Sequence, residues 1–393
     1  MYFHVGAPKT GSTFLQEAFW ANRSRLVDDG VCYPLDSPSG HLAPTIDLCE
    51  RSWGGRRNEE WEGAWNHLAA TIRASNCPRA VFSAELMGLA TPRQAARAVA
   101  SVQPAEVHLV FTARDFARQL PSDWQEQVKH RHTVTLTTFV DDLVRHGHDA
   151  PAPFGELFWG LHDAAYVLAR WSDVVPPHRI HVVTVPRSGA PPDVLWSRIA
   201  SLLGLTAKGY DLSESRDNTS MGVVETEFMR RFNVVTRGRL SAEHGPVLNR
   251  TLGQEILASR PGSRPIRLPR KHFEWAVQRS AEMVAAITRS GYDVLGDLGE
   301  LVPTPPPPDE EEVVPEKLPP AAVNKVAYHA VAGLVDEVLS LRGRARTLAE
   351  RLEVYAPGSL EEIHRWRAES ADQPDGGRSG WTSVPPVRAD DTA

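Results

Sequence analysis

The run Val5-Gly6-Ala7-Pro8-Lys9-Thr10-Gly11-Ser12-Thr13-Phe14 constrains this chain more than any other ten residues. Residues 2–5 before it are short and β-prone. Residues 12–25 after it carry apolar side chains at Phe14, Leu15, Ala18 and Phe19, with Leu26 just beyond, the repeat of a helix buried on one side. Two glycines in a turn between a strand and a helix leave backbone amides converging on an anion, aided by the positive end of the helix. A hydroxyl at Ser12 or Thr13 is expected to cap that helix. A Walker A loop reads G-x-x-x-x-G-K-[ST]. Gly6 and Gly11 keep its glycine spacing, but Ser12 stands where the lysine belongs, and Lys9 lies inside the loop. The ammonium thus approaches an anion from the loop rather than from the helix, which weakens an ATPase reading.

Short apolar runs at 80–83, 107–112 and 179–184 read as further strands of the buried, parallel kind. Helical patterns at 61–74, 92–101, 117–130 and 194–203 alternate with them, so the expected fold class is α/β. It is a three-layer α/β/α arrangement on a central parallel sheet, P-loop NTPase-like, with a helical C-terminal part. That part begins near 219, with helices expected at 222–235, 246–258 and 270–290. The organisation read from composition is an α/β domain over 1–300 and a proline-rich, acidic, solvated linker over 301–320 that includes Asp309-Glu310-Glu311-Glu312. A helical extension follows over 321–368, with an amphipathic helix at 321–352 and a short one near 360–367. Residues 369–393 read as a disordered tail.

A formal net charge of −6 means that any anion site must be built locally, and nucleic acid is not an expected partner. Cys32, Cys49 and Cys77 show no CxxC spacing, which argues against a disulfide framework or a structural zinc site and for free thiols. The 15 histidines include no H-E-x-x-H; His130, His132, His146 and His148 read as loop residues, and no metal is expected. The first residues show no basic or apolar leader segment, and no apolar run reaches the ~18 residues of a membrane span. The expectation is a cytoplasmic chain without a membrane span.

The segment Pro8-Lys9-Thr10-Gly11-Ser12-Thr13-Phe14 resembles the P-K-[ST]-G-[ST]-T-[WF] loop of sulfotransferases that use 3′-phosphoadenosine-5′-phosphosulfate (PAPS). In that family the loop binds the 5′-phosphosulfate, and Phe14 takes the place of a tryptophan near the adenine. The family also reads the 3′-phosphate with an arginine at the end of a later strand and a serine eight residues on. Arg114 and Ser122 match that pattern after the run 107–112. An arginine can clamp a phosphate bidentately, and a serine can donate its hydroxyl to the same group. Pro121 beside Ser122 suggests a kink or restart of the helix. The resemblance covers roughly 1–300, with specific motifs only at 8–14 and 114–122.

Sulfuryl transfer needs a cation at the bridging oxygen of the leaving phosphate and a base on the acceptor. Lys9 fits the first role. The resemblance puts a histidine or a glutamate near the end of the second expected strand, and Glu85 is the matching residue, where strand ends face a crevice. His4, inside the first strand, reads as structural. His41, on a loop, is a candidate for the acceptor side, and Trp53, Trp61 and Trp65 could floor an apolar acceptor site. Asn218 and Ser220 resemble an Asn-x-Ser segment of bacterial relatives and either cap the next helix or reach the crevice. The implied acceptor is a hydroxyl or amine of a small molecule, lipid or glycan, and the C-terminal helix is offered to a protein partner. Two alternatives stand beside this reading. One is a P-loop kinase or NTPase, which needs Mg²⁺ and a Walker B acid that the apolar run before Glu85 matches poorly. The other is a module that binds adenosine bisphosphate without catalysis.

Overall fold

The structure, a computed structural model, describes residues 1–52, 58–213, 220–240, 244–355, 361, 362 and 365. The chain divides into two compact units. The first comprises Met1–Gln127, Val134–Asn218 and Ile266–Val314; the second comprises Val128–Thr133, Thr219–Pro265 and Pro315–Ala393.

The first unit is built on a six-stranded sheet in the order β2-β3-β1-β4-β5-β6, with every pair parallel. The strands are β1 (Tyr2–His4), β2 (Val31–Cys32), β3 (Arg79–Ser83), β4 (His108–Ala113), β5 (Ile180–Thr184) and β6 (Asp293–Leu295). β1 is central, with Tyr2 in register with Val81 on one side and His108 on the other. Side chains alternate between two apolar layers, as the strand period requires. On one face Val81, Val110 and Val183 pack with Leu15 and Phe19 of α1 (Ser12–Ala21), Leu26 of α2 (Arg23–Asp28), and Trp196 and Ile199 of α10 (Val194–Leu202). On the other, Phe3 and Phe82 meet Trp65 of α4 (Ala64–Ala74), and Phe3 also meets Trp171. Each fully buried side chain of this kind is worth roughly 1.5–3 kcal/mol. Because all six strands run one way, the loops that leave β1, β3, β4 and β5 open from the same sheet edge.

The expected alternation and the three-layer α/β fold are what the structure shows, with strand ends shifted by a residue or two. Elements absent from the sequence reading are the short strands β2 and β6, α3 (Leu42–Leu48), α7 (Leu136–His146), α8 (Phe154–His162) and α9 (Ala164–Ala169). The expected helix 12–25 is broken at Asn22 into α1 and α2, and Gly11 rather than a hydroxyl is the N-cap of α1.

The expectation of free thiols needs correction. Cys32 and Cys77 form a disulfide with Cα atoms 5.8 Å apart, and Cys49 alone stays free and buried. The pairing Val31↔Arg79 of β2 with β3 brings the two cysteines together, and without β2 nothing in the linear spacing shows it. The acidic run is not simply solvated either. Glu310 pairs with Arg267 at 3.3 Å, and Glu312 accepts from the Arg270 amide at 2.8 Å.

In the second unit, α11 (Val223–Val235) and a π-helical segment (Leu248–Leu257) pack with the first part of α14 (Pro320–Tyr355). Val323, Val326 and Ala330 are its buried residues there. Glu227 is buried between Arg230 at 2.8 Å and Arg231 at 2.7 Å. Among the described residues no helix is long and apolar enough to cross a membrane. The expected helix near 360–367, the tail and Trp53 lie largely or wholly outside the described residues.

Candidate active site

The loop 5–11 leaves β1 through three residues of positive φ: Gly6 at 143°, Lys9 at 59° and Gly11 at 93°. Gly11 cannot carry a side chain without strain, since its φ of 93° is one that L side chains rarely adopt; a Cβ there would also press on Leu195 Cδ2. Lys9 adopts the left-handed region although it is not glycine, a conformation that the surroundings must enforce. Those surroundings are visible. Thr10 Oγ1 donates to the Ala7 carbonyl and lies 2.5 Å from Thr112 Oγ1, which donates to the Gly6 carbonyl at 2.9 Å. Gln119 Nε2 donates to the Pro8 carbonyl at 2.8 Å, and Arg114 Nη1 donates to the Lys9 carbonyl at 2.7 Å. No side chain caps α1, so its first amides face the loop without a protein acceptor from a capping side chain.

Arg114 follows β4 directly, and α6 (Phe116–Lys129) carries Ser122 back toward it. Arg114 Nη2 lies 2.7 Å from Ser122 Oγ and also donates to the Arg118 carbonyl. Pro121 sits inside α6, which runs without a break from Phe116 to Lys129. Lacking an N–H, it cannot close on the carbonyl four residues back, and the carbonyl Arg114 uses belongs to the neighbouring residue. Arg114 Nε is buried without a partner. Burial, then the charge of Arg118, push the Arg114 guanidinium down to about 10, with Asp115 opposing, so it remains charged at neutral pH.

Lys9 Nζ donates to Glu126 Oε2 at 3.1 Å, one helical turn past Ser122 on α6. The two side chains are 25% and 28% exposed, so the pair is worth at most about 1 kcal/mol and is readily exchanged for another anion. Lys9, Thr10, Gly11 and Arg114 line one side of a cavity of about 310 Å³; the other side is the loop from Val185 to Pro192 after β5, with Arg187 in it.

Glu85 opens a short 3-10 turn (Glu85–Leu89) at the end of β3. It is half-buried and accepts from Gln16 Nε2 of α1 at 2.9 Å; the same amide donates to the Ser83 carbonyl at 3.2 Å. Beneath it His4 is fully enclosed, with Nδ1 2.7 Å from Ser83 Oγ and Nε2 3.1 Å from Thr112 Oγ1. Burial pushes His4 down to about 4, against the attraction of Glu85 and a backbone bond at Gly6, which keeps it neutral and structural.

Lys9, Arg114 and Ser122 are therefore joined by hydrogen bonds, and Glu85 lies at the same sheet edge. The remaining sequence candidates fall elsewhere. Ser12 is buried and Thr13 exposed in the first turn of α1, and Phe14 leans on the apolar layer between α1 and α10. His41 is the N-cap residue of α3, its carbonyl accepting from Thr45 Oγ1 at 2.7 Å and its Nδ1 buried without a partner. No hydrogen bond joins it to Lys9, Arg114 or Glu85 among the described residues. Trp65 is core. Asn218 lies outside the described residues. Ser220 belongs to the second unit and is exposed; Gly222, not Ser220, is the N-cap of α11, which corrects the capping expectation. Among the described residues no group of three or more His, Cys, Asp or Glu side chains is arranged to hold a metal.

Sequence reasoning missed Gln16, Gln119, Glu126 and the loop 185–192. Gln119 and Glu126 stand three residues before and four after Ser122, so helical spacing alone puts them on its face. Behind Gln119, its amide also donates to His162 Nδ1 at 2.7 Å, and His162 Nε2 lies 3.2 Å from Asp123 Oδ1. This wholly interior chain has no sequence signature.

No protein-family model and no curated protein matches the chain. Among solved structures, the crystal structure of a sulfotransferase from Alicyclobacillus acidocaldarius is similar over 54% of this chain and 84% of its own, at 18% identity and a TM-score of 0.34.

Proposed function

We propose that this protein is a sulfotransferase that moves a sulfuryl group from PAPS to a hydroxyl or amine acceptor. The observation that carries the reading is the 2.7 Å contact of Arg114 with Ser122, made by an arginine that also holds the carbonyl of Lys9 in the glycine loop. Two anion-binding elements, 105 residues apart in sequence, share one guanidinium. The donor set suits a doubly phosphorylated nucleotide: uncapped amides of α1, the Lys9 ammonium, the Ser122 hydroxyl and an Arg114 Nε with no protein partner. The amides of 10–13, with the hydroxyls of Ser12 and Thr13, hold the 5′-phosphate, and Arg114 with Ser122 holds the 3′-phosphate. Glu85 takes the acceptor proton as the acceptor atom bonds to sulfur. The bond from sulfur to the bridging oxygen breaks, and Lys9, released from Glu126, meets the charge on the departing 3′,5′-adenosine bisphosphate.

The test is release of 3′,5′-adenosine bisphosphate from PAPS over a panel of phenols, alcohols and amines. Glu85→Gln is expected to lower turnover by about 10²–10⁴-fold while leaving bisphosphate affinity within about threefold, a change too small to mark a lost hydrogen bond. Unchanged turnover in this variant would remove Glu85 from the mechanism. The Lys9–Glu126 pair favours a second reading, in which the lysine stays on the carboxylate and the protein holds the bisphosphate without turnover. Binding of the bisphosphate with no release from PAPS on any acceptor would establish it.

A further inference from the structure

The helix α14 runs from Pro320 to Tyr355, yet its buried residues end at Ala330. Beyond Gly333 it is exposed on nearly every side; Val335, Leu339 and Val354 are exposed singly, and the other large apolar residues it exposes fall in two regular series. Leu334, Leu341, Leu348 and Tyr355 recur at a strict interval of seven. Val331, Val338, Ala345 and Leu352 recur three residues ahead of them. Leu341 is 51% exposed, Leu348 65% and Val338 49%. This is a heptad seam with the first series at d and the second at a, sustained over about three and a half heptads, enough for a coiled coil. A soluble helix does not keep such a seam in water without a partner.

We propose that residues 331–355 of α14 form a parallel, two-stranded, in-register coiled coil with a second copy of this chain. Three features choose that occupant. Valine at two of the a positions with leucine at three of the d positions favours two parallel strands. In that register Glu337, which accepts from Arg344 of its own chain at 2.9 Å, occupies g and also faces Arg342 at e of the second copy, twice by symmetry, and the next such pair, Arg344 with Ala349, carries no repulsion. The glycine at 343 falls at f, on the outer face, where no side chain has to pack. The first part of the helix, fixed on α11 and the π-helical segment, anchors the seam to the second unit.

The test uses the full chain in sedimentation velocity from 1 to about 50 µM, the range over which a modest coiled coil associates. A mass of two chains is expected. The pair Leu341→Asp and Leu348→Asp is expected to raise the dimer dissociation constant by at least about 100-fold. Glu337→Arg is expected to raise it about tenfold, and adding Arg342→Glu to restore it. Under mild oxidation Leu348→Cys is expected to cross-link two chains, since a d residue meets its own copy only in a parallel pair. A monomer throughout the range, a mass of three chains, or a dimer indifferent to the aspartates overturns the proposal. A dimer that Leu348→Cys does not cross-link overturns the parallel register. The charge-reversal rescue keeps the test informative even if the aspartates unfold the helix.

Discussion

Loop 5–11 is held from within: Val5, Gly6, Ala7 and Thr10 are buried, Pro8, Lys9 and Gly11 are half-buried, and the carbonyls of Gly6, Ala7, Pro8 and Lys9 each accept a side-chain donor. From Leu334 to Tyr355, by contrast, only Glu337, Ala349 and Glu353 are half-buried, and every other residue is exposed. The loop takes a conformation that its own residues disfavour, with Lys9 at φ 59°, and tertiary hydrogen bonds impose it. The helix takes the conformation its residues favour and leaves its seam unused within the chain. Conformation forced by the surroundings marks a place where chemistry is held in position, whereas conformation that needs no surroundings leaves a face open for assembly.

This contrast can be broken at either end. The largest effect belongs to Lys9→Ala, which should lower kcat by roughly 10²–10³-fold, the scale for losing one positioned charge on a leaving oxygen. Affinity for 3′,5′-adenosine bisphosphate should change far less. Steady-state kinetics beside calorimetry separates the two, and retained turnover would make the loop a mere anion holder.

A smaller effect tests the wiring under the loop. His4 titrates near 6.5 in the unfolded chain and at about 4 in the native state. Between those values the unfolded chain binds the extra proton, so stability is lost as pH falls below about 6.5 and keeps falling toward pH 4. The contribution is about 2 kcal/mol between pH 7 and pH 5. His4→Gln should flatten that part of the profile in urea titrations at the two pH values. An equally steep profile in the variant would assign the pH dependence to other groups.

The smallest effect belongs to the helix. Leu341→Asp with Leu348→Asp should change the unfolding free energy of the monomer by no more than about 0.5 kcal/mol, as exposed substitutions do. Melts at high dilution measure this, and a loss of several kcal/mol would mean that the seam is already covered within the chain.

Much of the architecture was legible in the sequence because it rests on period and punctuation. Buried parallel strands are apolar runs, and α5 (Pro92–Ser101) has its Thr91 and Gln94 capping box and its proline at the first turn. The pair Arg114 and Ser122 was picked out by its resemblance to the sulfotransferase pattern of a strand-end arginine with a serine eight residues on. What was not legible depends on distant neighbours. β2 and β6 have two and three residues, too few to show a period. The Cys32–Cys77 bond requires the β2–β3 register. Gln119 and Gln16 look like ordinary helix polar residues until the carbonyls they serve are known. Glu126 looks like a solvated acid until Lys9 is beside it.

The most direct test of the central claim is calorimetric titration of the protein with 3′,5′-adenosine bisphosphate, its 2′,5′ isomer and ATP, repeated with Arg114→Ala. The 3′,5′ isomer should bind at least about tenfold more tightly than the other two, and Arg114→Ala should erase most of that preference with a loss of roughly 30–100-fold, the scale of a charge-assisted phosphate contact. Equal affinity for the three nucleotides, or an unchanged preference in Arg114→Ala, would contradict the assignment of Arg114 and Ser122 to a 3′-phosphate.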